Sequence, residues 1–488
     1  MNLFSNGLFS FFITPHHSDK RLDEQQVTVG DYFVYLSGRT KYVYKEKGDS
    51  KCLIIGVACC LAEEKEAIDW LLEHADSIEN LSRSEALLGG KYVIFTQIDA
   101  CYFLLGDATG SLPVFCADIN NSFVCASNAY QIAKAYQLEP DEGLLKMREQ
   151  ANAAHTMPFD KTIWKAIRRL LPNHYVNVSN RSIHRMVNAP QVLSTLSAEE
   201  AATKTIPSIK RLVHYYAERY TLACPLTSGR DSRVVLAFLE CNPDVPVYTM
   251  RHAEFSNTTQ DITVPLEIAK YIGLNYQQIA DIPVSQVLTD AADSFFGKGN
   301  YNTRTLMLAN TINHYWGDYA VINGDIIGQV GKCSLHRDIP LKNATPSYFR
   351  CKLHNYSDAA KKELQAWIDD VYASNETVNL FDLFSIENRM GVWAADENEI
   401  YNAIGQNYLN IFNSRSIIYT WTRVDRGVRK NSEIHKAIIS MVNPKLLDIP
   451  FERMGRMEGL AKYNGMTYLM ASYVKHIVES LKFKLCHN

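Results

Sequence analysis

The stretch that decides the fold is TLACPLTSGRDSRVVLAFLEC, residues 221–241. It begins as a short apolar strand, continues as a turn of small polar residues and ends with an apolar helical segment. VPVYTM (245–250), DITVPLEIAKYIG (261–273) and NYQQI (275–279) then continue the pattern as strand, helix and strand. This alternation predicts a parallel sheet whose strands are joined by helical crossovers.

The sequence before this stretch has a different residue pattern. Short runs rich in aromatic and β-branched residues, separated by Gly, Asn, Asp and Pro, predict antiparallel strands at 32–38, 91–98, 101–107, 112–117 and 122–127. Helices are predicted at 63–78 and 128–138, and a hairpin at 174–186 around Ser179. We therefore predict an α/β protein with two domains: residues 1–190 as an α+β domain with antiparallel sheets, and residues 200–488 as a domain with a parallel sheet and many helices. The linker lies near 189–205, where Ser197 is a predicted N-cap.

The composition excludes several classes of protein. With 47% hydrophobic and 21% charged residues, the chain is not mostly disordered. Its 50 basic and 53 acidic residues leave a net charge of -3, so no bulk charge favours nucleic acid or an acidic membrane. The 11 cysteines form no CxxC pair, and the apolar run at 52–62 is too short to span a membrane. The first residues lack a basic segment, so we expect a cytoplasmic protein without a signal peptide.

The segment Leu226–Ser232, LTSGRDS, carries the chemistry. A turn of small residues between a parallel strand and a helix exposes backbone N–H groups to an anion. Thr227, Ser228 and Ser232 add hydroxyl donors, and Arg230 adds a cation. Phosphate would repel Asp231 unless a divalent cation lay between them, so the loop predicts a nucleotide phosphate bound with Mg²⁺. The other interpretation, of equal weight on the loop alone, is a polar turn in which Ser232 or Asp231 caps the helix.

LTSGRDS resembles the pyrophosphate-binding loop of the asparagine synthetase family, S-G-G-x-D-S, with Thr227 and Ser228 in place of the Ser and the first Gly. The resemblance extends along nearly the whole chain. Residues 88–128 and LPNHYVNV (171–178) resemble the amino-terminal domain of that family. INGDIIGQVGK (322–332) resembles its second acidic motif, with Asp325 as the acidic residue.

The resemblance implies a carboxyl-terminal domain of the adenine-nucleotide α-hydrolase type that uses ATP and Mg²⁺. Asp231 and Asp325 would be the catalytic residues and would hold the magnesium ion, and adenine would lie near Tyr248 and Met250. The implied nucleotide contacts are Leu226, Thr227, Ser228, Gly229, Arg230, Asp231, Ser232, Met250 and Gly324.

Departures from the family pattern shape the predicted reaction. Glutamine-hydrolysing members have Cys directly after Met, whereas Asn2 stands here, so we expect an inactive glutaminase-like domain. The chain then resembles β-lactam synthetases and lasso-peptide cyclases, which use an amine already present in the substrate. The catalytic lysine of the family has no clean match in 450–462.

The predicted function is therefore an ATP-dependent, AMP-forming amide synthetase. Its substrate would be a precursor peptide closed into a macrolactam for a lasso-type peptide antibiotic, with a peptidase as a possible partner protein. Two alternatives stay open: an amidotransferase that uses external ammonia on a small acid or sugar acid, and a degenerate relative that binds nucleotide without turnover.

Some residues are predicted to be structural. The scattered histidines, for which no metal role is expected, are His252, His314, His336, His354 and His435. The basic run at 423–430 favours a solvated helix face over a phosphate contact, by about two to one. Glu387, Asp396, Glu397 and Glu399 lie on a predicted helix, and one of them could orient an amine.

Overall fold

The structure is a computed structural model of the 488-residue chain. It describes residues 8–17, 24–149, 157–186, 194–240, 242–333, 346, 349, 353, 355, 357–374, 378–451, 470, 474, 477 and 478. Within these residues the fold is mixed α/β, with antiparallel sheets in the amino-terminal part and a parallel sheet with helices in the carboxyl-terminal part. The predicted fold class is confirmed.

The amino-terminal part contains two six-stranded antiparallel sheets. The first comprises β1 (Phe11–Thr14), β2 (Glu24–Val29), β3 (Tyr32–Ser37), β8 (Phe115–Ile119), β9 (Ser122–Ala126) and β10 (Ile167–Arg169), in the order β10-β8-β9-β1-β3-β2. The second comprises β4 (Tyr42–Lys47), β5 (Ser50–Cys60), β6 (Leu88–Ile98), β7 (Cys101–Gly106), β11 (His174–Asn177) and β12 (Ser182–Arg185), in the order β12-β11-β7-β6-β5-β4.

These two sheets share one apolar core. Phe11 and Val34 from the first sheet pack in the same cluster as Leu53 and Phe95 from the second. The outer face of the second sheet is covered by the helices Ala67–His74 and Ile78–Glu85. The outer face of the first sheet packs against the helices Ala129–Ala135 and Glu142–Glu149. The layers are therefore helices, the first sheet, the second sheet and helices. Along each strand, alternate residues face either the core between the two sheets or the core between a sheet and its helices.

The carboxyl-terminal part is built on a five-stranded parallel sheet. Its strands are β13 (Leu222–Pro225), β14 (Val247–Arg251), β15 (Tyr276–Ala280), β16 (Ala320–Asn323) and β17 (Asn407–Asn410), in the order β15-β14-β13-β16-β17. All four residues of β16 are buried, as expected for a strand covered by helices on both faces.

Helices cover both faces of this sheet. One face packs against the helices Ala198–Ala217, Asp231–Phe238, Gln260–Ile272, Arg415–Thr422 and Glu433–Val442. The other face packs against Gln286–Phe296, Thr303–Trp316 and Ala395–Ile404. The remaining helical segments are Asp358–Ala373, Leu380–Phe384, Arg426–Lys430, the π-helices Ile327–Gly331 and Ser385–Ala394, and the 3₁₀-helix Pro444–Leu447.

The predicted elements differ from the observed ones in a few places. The predicted helix at 63–78 is two helices, because the first ends at His74 and the Ser77 hydroxyl caps the second by accepting from the Asn80 amide. The predicted strand at 112–117 begins only at Phe115. β17 was not predicted, since its residues NYLN are too few and too polar to indicate a buried strand. Ser197 caps its helix as predicted, with Glu200 completing a capping box.

Buried polar contacts connect the amino-terminal and carboxyl-terminal parts. The Asn413 amide nitrogen donates to Asp107 Oδ1 (2.9 Å) and to the Gly90 carbonyl (2.6 Å). Arg415 Nε donates to Glu85 Oε2 at 2.7 Å, and both side chains are buried. These groups would be left unsatisfied if the two parts separated.

The basic run at 423–430 is not a solvated face, so that prediction is wrong. Arg429 is fully buried and donates from Nη1 and Nη2 to the Asp382 carboxylate, at 3.0 and 2.6 Å. Arg426 Nε contacts Cys333 Sγ at 3.4 Å. Charge patterning does not reveal this because Asp382 lies more than forty residues away in the sequence.

Replacing Arg429 with Met should lower the free energy of unfolding by about 3–5 kcal/mol, because Asp382 would stay buried without its cation. Denaturant unfolding followed by circular dichroism measures the change. Arg423→Met is the matched control, since Arg423 lies in the same run and its side chain donates to the Ser194 carbonyl near the surface. Equal losses in the two variants would contradict a role for the buried pair.

Candidate functional site

The candidate site lies at the carboxyl edge of the parallel sheet, between β13 and β16. The chain runs from β13 through β14 to β15 on one side, and forms β16 and β17 on the other. The strand order therefore reverses between β13 and β16, and open α/β sheets bind ligands at such a reversal. Asp231 begins the helix after β13, and Asp325 lies two residues beyond the end of β16.

The loop 226–232 is held by its own side chains. The Thr227 amide donates to Ser232 Oγ at 3.1 Å, and the Gly229 amide donates to Thr227 Oγ1 at 3.2 Å. The Ser228 amide and hydroxyl both donate to Asp261 Oδ1, at 2.9 and 2.7 Å. The helix that follows has its first N–H groups at this edge. The turn is therefore held by hydrogen bonds among its own residues and by those that Ser228 donates to Asp261.

Two glycines bring Asp231 against the segment that carries Asp325. A Cβ atom at Gly324 would lie 3.0 Å from the Asp231 carbonyl oxygen. A Cβ atom at Gly328 would lie 2.6 Å from Asp231 Oδ2, closer than real contacts allow. A side chain at position 328 would force the Asp231 carboxylate to move, so glycine there suits the observed position of Asp231.

Asp231 has cationic neighbours on several sides. His435 Nε2 donates to Asp231 Oδ1 at 2.8 Å, and the His435 side chain is fully buried. Burial by itself would raise the pKa of Asp231, but the His435 hydrogen bond and the charges of His435, Lys332 and Arg230 together lower this pKa. Asp231 is therefore held as a carboxylate.

Asp325 and Glu397 have the opposite environment. Burial, followed by the negative charge of Asp231, raises the pKa of Asp325 to about 6. Burial, followed by the charges of Asp325 and Asp396, raises the pKa of Glu397 to about 8. Asp325 therefore lies within electrostatic range of both Asp231 and Glu397 at the sheet edge.

The donor set fits a divalent cation that is shared with phosphates. Mg²⁺ is usually bound through one or two carboxylates, with phosphate oxygens and water as its other ligands. Asp231 and Asp325 supply two such carboxylates. Among the described residues, no group of three or more His, Cys, Asp or Glu side chains is arranged to hold a metal.

The other predicted contacts have mixed surroundings. Leu226 is buried, and its amide and carbonyl already bond to the Tyr248 carbonyl and the Thr249 hydroxyl, at 2.7 and 2.6 Å. Tyr248 is a core residue stacked on Trp316. Met250 is partly exposed at the end of β14, on the same edge as the loop.

His435 was missed as a site residue. It comes from the helix Glu433–Val442, 204 positions after Asp231, and no spacing rule connects the two. His252 bonds Asp281 at 3.0 Å and His314 is exposed. His336, His354 and residues 452–469 lie outside the described residues.

Glu387 does not belong to this site. It is fully buried and contacts Arg185, Trp367 and Asn173. The Trp367 indole donates to Glu387 Oε2 at 2.8 Å and the Asn173 amide to Oε1 at 3.0 Å. Glu387 is therefore a buried ion-pair residue that joins the two parts of the molecule.

Comparison with known proteins finds only distant likenesses. No family model and no curated protein matches the sequence. Among solved structures, the chain is similar to one described as the allosteric regulatory enzyme of purine biosynthesis, at 10% identity and a TM-score of 0.24. It is also similar to glutamine phosphoribosylpyrophosphate amidotransferase from B. subtilis complexed with ADP and GMP, at 10% identity and a TM-score of 0.23. Each likeness covers 59% of this chain, which spans 65% of the other, and we draw nothing about activity from it.

Among the residues that the structure describes, no helix has both the length and the apolar character needed to cross a membrane.

Proposed function

We propose that the chain is an ATP-dependent amide synthetase that releases AMP and pyrophosphate. A substrate carboxylate oxygen attacks the α-phosphorus of ATP, so that an acyl-adenylate forms and pyrophosphate leaves. An amine then attacks the acyl carbon, loses a proton and displaces AMP. The observation that carries the proposal is the approach of Asp231 and Asp325 at the edge where the strand order reverses.

Asp231 and Asp325 would hold Mg²⁺, which when bound neutralises phosphate charge. His435 keeps the Asp231 carboxylate in place through its 2.8 Å hydrogen bond. Asp325 must lose its proton to bind a cation. Its raised pKa means that a proton begins to compete with the cation below about pH 6, so binding weakens as the pH falls through that region.

The loop would receive the departing pyrophosphate. The first turn of helix Asp231–Phe238 lies at this edge, and a helix N-terminus favours an anion. Arg230 is anchored to Ser432 Oγ at 2.6 Å, and Lys332 follows the π-helix after Asp325. These two cations are our candidates for the role that the lysine plays in the family that this sequence resembles.

For the substrate we propose a precursor peptide whose own carboxylate and amine are joined as a macrolactam. The amine would then be delivered by the acyl substrate itself, and proximity would supply much of the second step. External ammonia with a small acid or sugar acid is the alternative source of the amine.

The test is incubation of the full chain with ATP, Mg²⁺, hydroxylamine and a panel of peptides and small carboxylic acids. Hydroxylamine traps an acyl-adenylate as a hydroxamate, so the natural amine is not needed. We expect pyrophosphate and AMP in equal amounts with at least one carboxylate. Release of ADP and phosphate instead would overturn the proposal.

A second candidate function is favoured by Asp261. Its carboxylate already accepts both donors of Ser228, where a phosphate would otherwise bind. A degenerate relative that binds nucleotide without turnover would show ATP binding by calorimetry and no pyrophosphate with any member of the panel.

A further inference from the structure

A cavity of about 110 Å³ lies between β8 and β10 of the first sheet and the helix Ala395–Ile404. It is distinct from the carboxyl edge of the parallel sheet. Its apolar wall is formed by Phe115, Tyr130, Met157, Trp164, Phe296 and Tyr301. A pocket of this kind, apolar with a few convergent polar groups, is typical of a small-ligand site.

Arg169 is the polar group that stands out in this cavity. Its side chain is only 7% exposed and lies over the Phe115 ring, 4.6 Å from the centroid. One nitrogen, Nη2, donates to Asp396, whereas Nε and Nη1 have no hydrogen-bond partner among the described residues. Buried guanidinium nitrogens without acceptors are costly, so an acceptor brought by a ligand would relieve that cost.

The charge in the cavity also favours an anion. Arg169 and Arg148 both line it, and Arg148 donates to the neutral side chain of Asn300. Asp396 balances one of these cations. Burial, followed by the charge of Asp396, raises the pKa of Glu399 to about 8, so Glu399 is mostly protonated at neutral pH. Lys161 also lines the cavity but pairs with Asp160 and Glu363, at 3.5 and 3.3 Å, so the charge of Arg148 is the one left without an ion-pair partner among the described residues.

We propose that this cavity binds a small monocarboxylate with an apolar or aromatic body, whose carboxylate accepts hydrogen bonds from Arg169. The rings of the wall would cover the apolar body, and Arg148 would balance its charge. The ligand would lie buried between the two parts of the molecule.

The cavity does not depend on the proposed synthetase function. On the helix Ala395–Ile404, Asp396 and Glu399 line the cavity, whereas Glu397 interacts electrostatically with Asp325 at the sheet edge. The same helix therefore separates two different sites. Binding in the cavity is measurable with no nucleotide present, so failure of one proposal is distinguishable from failure of the other.

The test is isothermal titration calorimetry of the full, nucleotide-free chain with benzoate, phenylacetate and isovalerate. Benzyl alcohol is the neutral control. We expect at least one carboxylate to bind at least tenfold more tightly than benzyl alcohol. Arg169→Met should weaken that binding at least tenfold, and Arg168→Met, which changes the exposed neighbour in the same strand, should change it less than twofold.

Ala129→Leu is a second variant that tests the proposal even if Arg169→Met fails to fold. It narrows the cavity while the Arg169–Asp396 pair stays intact, so we expect a tenfold loss of binding with a melting temperature near that of the parent. The proposal is overturned if none of the three carboxylates binds, if benzyl alcohol binds as tightly, or if Ala129→Leu binds normally.

Discussion

Pyrophosphate release falls about a thousandfold or more when Asp231 is replaced by Asn, if the chain is the synthetase that we propose. Asn keeps the size of the side chain and an oxygen near His435, but it removes the negative charge that would hold the cation. A cation that stabilises the departing phosphates contributes several kcal/mol, and about 4 kcal/mol corresponds to a factor of a thousand. Hydroxamate formation with excess ATP and Mg²⁺ measures the effect.

Asp318→Asn is the matched control for this experiment. Asp318 is exposed in the segment just before β16, whereas Asp325 follows the carboxyl end of the same strand. The control should keep its activity within about twofold, since Asp318 lies at the opposite edge of the sheet. Undiminished release by the Asp231 variant would remove Asp231 from the mechanism.

Asp325→Asn should abolish pyrophosphate release and, in the same protein, raise the stability of the ligand-free fold. The folded chain holds the Asp325 proton up to about pH 6, whereas an ordinary Asp loses it near pH 4. Ionisation is therefore easier in the unfolded chain, and the fold loses stability as the pH rises through this interval. Asn cannot ionise, so the variant avoids the loss.

The stability difference should have a defined pH window. At pH 8 we expect the variant to be more stable than the parent by about 1–3 kcal/mol, since each pKa unit is worth about 1.4 kcal/mol. At pH 4 the folded parent is protonated and the unfolded chain is about half protonated, so the difference should shrink to about 0.5 kcal/mol or less. Thermal unfolding at pH 4 and pH 8 measures it, and a variant less stable at pH 8 would contradict the prediction.

Local pattern was enough to predict the strand, loop and helix around Asp231 and several of the strands before them. The apolar run before Thr227 and the small polar turn after it placed a strand and a helix around Asp231, whereas Asp325 was predicted from the resemblance of 322–332 to a family motif. Because β13 and β16 are parallel, Asp231 and Asp325 follow their strands at the same edge of the sheet.

What the sequence could not predict comes from distant segments. His435 and Ser432 reach Asp231 and Arg230 from about 200 positions away. Asp261 belongs to another helix and still occupies both donors of Ser228. Arg429 looks solvated in the sequence because its partner Asp382 is remote. Such contacts depend on tertiary packing, which leaves no regular spacing of residues in the sequence.

The Asn413 side chain, which bonds Asp107 and Gly90, has a consequence for how the molecule denatures. A fragment that ended before Asn413 would expose the carboxylates of Asp107 and Glu85. It would lack Asn413 and Arg415, which donate hydrogen bonds to them in the whole chain. Separating the amino-terminal part from the carboxyl-terminal part breaks several buried hydrogen bonds at once. Heating should therefore give one calorimetric peak instead of two, and limited proteolysis should not release a persistent amino-terminal piece.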